Sequence, residues 1–225
     1  MLRILITRFK QGCRTLSFPK GALPVLPVRY RGRPVIAGQG GALDLGAMTF
    51  IPDSGVRYSN DFRMAVRRRE DLILKGDEYA LARAVNDGIV KMFGRSLKLR
   101  QVSAGGCNAC EADINVLNTP VFDLSRFGIQ FVASPRHADG IVVTGPVTRN
   151  MREALVKTYE AVPDPKIVIA VGACAVSGGI FADTPQCSNG LGDILPVDLY
   201  IPGCPPHPLT ILDGLLRLIG RLSKG

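Results

Sequence analysis

The chain has no tryptophan, two histidines, and only 6% aromatic residues among its 225 positions. Nucleic-acid readers interleave basic with aromatic side chains, so this composition ranks nucleic acid last among partners, and none is expected. Long apolar runs are also missing. The longest, residues 167–175, is about half the roughly 20 residues that a membrane span requires, so no transmembrane segment is expected. The amino-terminal MLRILITRFKQG lacks an apolar h-region and a twin-arginine pair, which gives the expectation of a cytoplasmic chain without an export signal. In that compartment six cysteines are not expected to pair as structural disulfides and become candidate metal ligands.

Hydrophobic residues make up 46% of the chain, enough at this length for one well-filled α/β domain with an appendage. Charge divides unevenly. Residues 1–104 hold 19 Lys and Arg against 8 Asp and Glu, whereas residues 105–225 hold 9 against 11. A basic first half points to an acidic partner or a lipid head-group surface, with a solvated basic face as the plain alternative.

Residues 1–40 read as an extended arm, because Pro19, Pro24, Pro27 and Pro34 oppose helix and favour polyproline or edge conformations. Cys13 stands alone there and reads as a bystander. Residues 38–60 are glycine-rich with short alternating runs, which suits a small hairpin-like segment. Residues 63–94 read as mostly helical by period, with Arg67, Arg68 and Arg69 running into Glu70 and Asp71. From residue 97 strands alternate with helices. Residues 97–102, 128–134, 139–145, 166–172 and 197–203 read as strands. Helices are expected over 111–118 and 149–162, and from Pro205 and Pro206 through 222. The alternation predicts a doubly wound, largely parallel α/β sheet, flavodoxin-like or Rossmann-like, over 81–225, with the extended arm over 1–80.

The cysteines fall on that frame in a pattern. Cys107 and Cys110 form a CxxC in GGCNACE, after the strand at 97–102. Cys174 follows the strand at 166–172, and Cys204 in PGCPP follows the strand at 197–203. Four thiols on three glycine-bearing loops thus belong to the carboxyl edge, where open α/β sheets bind ligands. A CxxC by itself suits zinc, a dithiol redox pair or an iron–sulfur cluster. Four thiolates from separated loops favour a 4Fe–4S cluster over zinc, with unconnected core thiols as the remaining reading. Cys187 follows no strand and is left out of the ligand set.

The stretches GGCNACE, FDLSRFGI, SPRHADGIVVTG, PDPKIVIAVGACAVSGGIF and PVDLYIPGCPPHP resemble the small, cluster-bearing subunit of membrane-bound group 4 nickel–iron hydrogenases, the formate hydrogenlyase type in particular. That subunit is related to the complex I subunit carrying the terminal cluster. The resemblance covers roughly residues 97–222. It implies one 4Fe–4S cluster on Cys107, Cys110, Cys174 and Cys204, and an electron-transfer role in an oxidoreductase complex. The implied partners are a nickel–iron large subunit, a ferredoxin-like iron–sulfur subunit and membrane-arm subunits. The implied location is peripheral, on the cytoplasmic side of the membrane. Complex I relatives carry adjacent cysteines at the first motif, so the CxxC favours the hydrogenase branch. With no second CxxC, the chain does not hold nickel in the family's manner.

A weaker likeness joins RGRPVI and residues 43–72 to the ferredoxin-like subunit of such complexes. Residues 44–56 contain no cysteine, so residues 1–80 read as a degenerate remnant retained for docking. Among polar residues, Glu111 beside Cys110 is a proton-relay candidate, with helix capping or a subunit contact as the alternative. Arg149 could pair with a partner carboxylate. His207 stands near enough to Cys204 to tune a cluster, and His137 reads as structural. Two rival functions stay open: a complex I-like quinone or nickel-free oxidoreductase subunit, and a zinc-stabilised or metal-free interaction module.

Overall fold

The computed structural model describes residues 2–22, 24–36, 42–46, 56–75, 81–82, 93 and 96–222. In chain order its elements begin with helix α1 (Leu2–Gln11) and strands β1 (Pro34–Ile36), β2 (Ala42–Asp44), β3 (Val56–Tyr58) and β4 (Ile73–Lys75). Then come β5 (Leu97–Ser103), α2 (Ala109–Val116), β6 (Ile129–Phe131), β7 (Gly140–Thr144) and α3 (Arg149–Glu160). The chain ends with β8 (Ile167–Val171), α4 (Ala173–Ser177), β9 (Leu199–Ile201) and α5 (Pro208–Leu218).

The predicted α/β sheet is present. Strands β5 to β9 form one five-stranded sheet in the order β6-β5-β7-β8-β9, with every pair parallel. Renumbered within the sheet this is 2-1-3-4-5, the flavodoxin-like order, which puts the topological switch point between β5 and β7. All five residues of β7 and of β8 are buried, as strands covered on both faces must be. Their side chains alternate between two cores. Ile167, Ile169 and Val171 pack with Ile114 and Leu117 beside α2 and with the leucines of α5. Val168 and Ala170 pack on the other face with Leu155 of α3 and with Ala175 and Val176 of α4.

Three expectations for the first half need correction. Leu2–Gln11 is a helix rather than extended chain. No proline occurs before Pro19, and alternating apolar and basic residues carry a helical period there. Second, the two strands described within 38–60 pair outside it, β3 with β1 and β2 with β4, so among the described residues no hairpin joins them. Third, the helical reading of 63–94 fails at its start. Residues 66–75 comprise a bridge at Val66, a 3-10 turn over Arg69–Leu72, and β4. Tertiary pairing overrode a helical period here: Val66 exchanges both backbone hydrogen bonds with Tyr200, at 3.0 and 2.8 Å, and so covers the outer edge of β9. Most of the remainder of 63–94 lies outside the described residues.

The first 75 residues are tied into the α/β core. All eleven residues of α5 are buried, including the ion pair in which Arg217 Nε donates to Asp213 Oδ2 at 2.7 Å. This helix packs on the sheet and on α2, and at Gly214 it also meets Ala65 of the segment carrying Phe62. That segment is held by Asp61. Its carboxylate accepts from Arg63 Nε at 2.8 Å and Arg63 Nη2 at 3.0 Å, and its carbonyl accepts from Arg33 N at 2.7 Å. Burial alone would raise the Asp61 pKa. Hydrogen bonds from Arg63 and the charges of Arg63 and Arg33 outweigh that and hold it below the ordinary carboxylate value.

A depressed folded-state value means stabilisation that is complete above the unfolded pKa of about 3.9 and is lost as pH falls through the lower folded value. Asp61→Asn is therefore expected to cost about 1 kcal/mol at pH 7, and the difference from wild type should shrink towards pH 3. Urea unfolding at the two pH values measures both quantities.

Candidate metal centre

The site begins with the end of β5. After Ser103 the loop crosses the switch point against the end of β7, and the approach is so close that a Cβ on Gly145 would stand 2.5 Å from the Gly106 nitrogen. Asn108 then adopts a left-handed conformation, φ 70°, which asparagine tolerates better than most residues. That single turn starts α2 at once, leaving Cys107 exposed outside the helix and Cys110 half-buried in its first turn.

The other two thiols arrive from β8 and β9. Gly172 follows β8 with φ 90° and ψ 154°, a region that essentially only glycine occupies, and α4 starts immediately with Cys174 as its second residue. A Cβ on Gly172 would lie 2.5 Å from Cys110 Sγ, so the missing side chain is the space that lets the CxxC sulfur reach the β8 loop. Ala173 N donates to the Gly203 carbonyl at 2.8 Å, which fastens the β8 and β9 loops together beside Cys204.

The four sequence-predicted cysteines are therefore brought to one neighbourhood at the carboxyl edge. Their electrostatics show it. Cys110 is pushed well above the ordinary thiol range by burial, then by the charges of Glu111, Cys174, Cys204 and Cys107. Cys174 is raised to about 11 by burial, then by Cys204, Cys107, Cys187 and Glu111. Cys204 is raised by burial and by Cys107. Among the described residues no three His, Cys, Asp or Glu side chains converge tightly enough to share a single metal ion. The thiols are near enough to one another to raise each other's pKa.

Glu111 is buried at the centre of this arrangement. Its Oε1 accepts from Ser103 Oγ and from Thr144 Oγ1, each at 2.6 Å. Burial would raise its pKa, but the two hydroxyl bonds hold it below the usual value and keep it a carboxylate. One side chain thereby ties α2 to β5 and to β7 across the switch point. Sequence reading missed Ser103 and Thr144, because a hydroxyl at a strand end carries no signal until its partner is known.

The remaining candidates separate. His207 Nδ1 accepts from Leu209 N at 3.2 Å and caps α5, with its ring edge-on to Tyr30 at 5.2 Å between centroids. His137 is exposed just before β7, at the opposite edge of the sheet. Arg149 is exposed at the start of α3. Cys13 lies in the exposed segment after α1. Cys187 is half-buried and close enough to raise Cys174. A cavity of about 350 Å³ opens beside Cys204, walled by Pro202–Pro206 and His207 and, from the first half of the chain, by Tyr30, Arg31 and Tyr58. Sequence patterning carried no hint that the arm reaches this loop.

Residues 107–218 match the family model described as NADH ubiquinone oxidoreductase, 20 Kd subunit. A "probable membrane-bound hydrogenase subunit mbhJ" of Pyrococcus furiosus is 46% identical over 136 residues, covering 60% of this chain and 81% of that one. The chain belongs to this family. Formate hydrogenlyase subunit 7 of Escherichia coli is 47% identical, over 60% of this chain and 53% of its own length. An NADH-quinone oxidoreductase subunit of Citrifermentans bemidjiense is 47% identical, over 53% of this chain and 69% of its own. Among solved structures, a chain of the membrane-bound sulfane sulfur reductase, an archaeal respiratory membrane complex, superimposes with a TM-score of 0.52 at 35% identity, over 60% of this chain and 75% of that one. The resemblance to hydrogenase and complex I subunits read from the motifs is thus borne out, and the family is one of oxidoreductase subunits.

Gly172→Ala tests the cradle without reference to any bound group. The substitution must relieve both a left-handed φ and a contact with Cys110 Sγ, so a loss of about 2 kcal/mol is expected. Chemical denaturation reads that loss, and a changed alkylation rate of Cys110 reports the displaced sulfur. Wild-type stability and unchanged alkylation would show that the loop yields freely.

Proposed function

We propose that this chain is the electron-transfer subunit of a membrane-bound nickel–iron hydrogenase-type complex, with one 4Fe–4S cluster held by Cys107, Cys110, Cys174 and Cys204. The observation that carries the reading is the approach of four thiols from three strand-end loops at the carboxyl edge of the sheet, three of them raised by burial and by their neighbours. Thiols so crowded gain most from a polynuclear cationic core, because metal binding removes their protons and neutralises their mutual repulsion. Such a cluster, when bound, supplies a one-electron carrier.

The chain's residues would position and insulate that carrier. Gly172 makes room for the Cys110 sulfur. Bonds between the β8 and β9 loops hold two ligand-bearing segments in register. Glu111 enters as a carboxylate able to accept a proton beside Cys110, fixed by Ser103 and Thr144. Residues 1–80 would serve docking and residues 81–225 would hold the cluster. The chain would stand between a ferredoxin-like iron–sulfur subunit and a large subunit holding nickel and iron. Membrane-arm subunits would lie beneath, with this chain peripheral on the cytoplasmic side. Among the described residues no helix is long and apolar enough to cross a membrane, which suits peripheral attachment.

A second reading keeps the cluster and changes the complex. The likeness to an NADH-quinone oxidoreductase component supports a complex I-like assembly whose large subunit accepts quinone or lacks nickel. The cysteines of the large subunit decide between the two.

Iron, sulfide and zinc analysis of the anaerobically purified complex, with electron paramagnetic resonance after dithionite, tests the cluster. About four irons should be assigned to this chain, with a signal that disappears or changes in Cys174→Ser. Zinc in their place, or a variant indistinguishable from wild type, would sink the electron-transfer reading.

A further inference from the structure

Helix α1 has no buried residue. Leu2, Leu5, Ile6 and Phe9 recur at the i, i+3, i+4, i+7 spacing that lines up one face, and all four are exposed, Phe9 by 90%. At 100° per residue, Arg3 and Lys10 border one long edge of that stripe and Arg8 borders the other. The opposite side, with Ile4, Thr7 and Gln11, faces a groove beside Pro120. The helix is tethered there: Thr15 Oγ1 donates to the Pro120 carbonyl and Leu16 N to the Val121 carbonyl, each at 2.8 Å. The apolar stripe is thereby turned away from the protein.

We infer that α1 is an interfacial anchor that lies in the head-group region of an anionic lipid bilayer. Charge complementarity selects this occupant. Residues 1–43 contain eight Lys and Arg and not one Asp or Glu. Apolar side chains flanked on both edges by cations suit a bilayer surface, where long basic side chains reach up to the phosphates while their neighbours sink below them. A ten-residue helix buries too little to hold by apolar contact alone, so the basic segment supplies the second signal that stable attachment needs. The inference concerns attachment and does not depend on the cluster.

The test is flotation of the full chain with vesicles of phosphatidylcholine, alone or with about a third phosphatidylglycerol, at low and high salt. Wild type should float with the anionic vesicles, weakly with neutral ones, and less at high salt. Leu5→Ser with Phe9→Ser should weaken partition at least ten-fold, and neutralising Arg3, Arg8 and Lys10 with glutamine should cost about five-fold per cation. Because α1 buries nothing, the thermal midpoint of each variant should match wild type. Cys174→Ser should float like wild type, which separates this result from the fate of the cluster reading. Wild type remaining unbound to both vesicles would overturn the inference, as would variants that float undiminished. An apolar variant that keeps its vesicle binding but drops out of the assembled complex would assign the stripe to a protein groove and equally overturn it.

Discussion

Crowding of sulfur at a partly buried sheet edge is the constraint on which the site depends. Free thiolates repel one another and lose hydration when buried, and here three of the four cysteines are raised on both counts. Such an arrangement is unfavourable for the bare charged groups and must be enforced by the backbone. The enforcement is visible in a handful of contacts. Two loops are bonded carbonyl to amide, a glycine sits where a Cβ would strike sulfur, and an asparagine turns left-handed to begin a helix between two ligands. The sheet below is the rigid element, buried on both faces, that these loops stand on.

The first part of the chain is built into that scaffold rather than hung from it. A helix with every residue buried needs cover on all sides, more than the sheet alone supplies to α5. Helix α2 and the segment around Phe62 and Ala65 add to that cover, and Val66 closes the edge of β9. Ser177 Oγ also donates to the Gly46 carbonyl at 2.6 Å, one turn from Cys174. The arm therefore touches the ligand-bearing loops from two directions, through the cavity wall at Tyr30 and through α4. This joins a basic part of the chain to the electron-transfer site proposed above.

Relatives of this chain carry the names of a hydrogenase, a formate hydrogenlyase and a quinone reductase. One physical reading fits that spread. The one-electron relay proposed above would impose demands on ligand geometry and dielectric but none on the substrate, which a different subunit would handle.

Sequence alone determined the parallel α/β sheet, because fully buried strands require unbroken apolar runs and those runs are present at residues 140–144 and 167–171. It also placed Cys107, Cys110, Cys174 and Cys204 at one edge, since a loop after a parallel strand lies there, but gave no sign that Cys187 comes near Cys174. The tertiary structure decided the rest. Local period favoured helix at residues 66–75, but pairing of Val66 with β9 and of β4 with β2 made that segment a bridge, a turn and a strand. The hydroxyls that hold Glu111, and the arm's position over Cys204, are contacts between segments up to about 170 residues apart, as from Tyr30 to Cys204. Nothing in a linear pattern encodes which distant side chain will fill a given space. That choice belongs to packing, which is settled only when both surfaces exist.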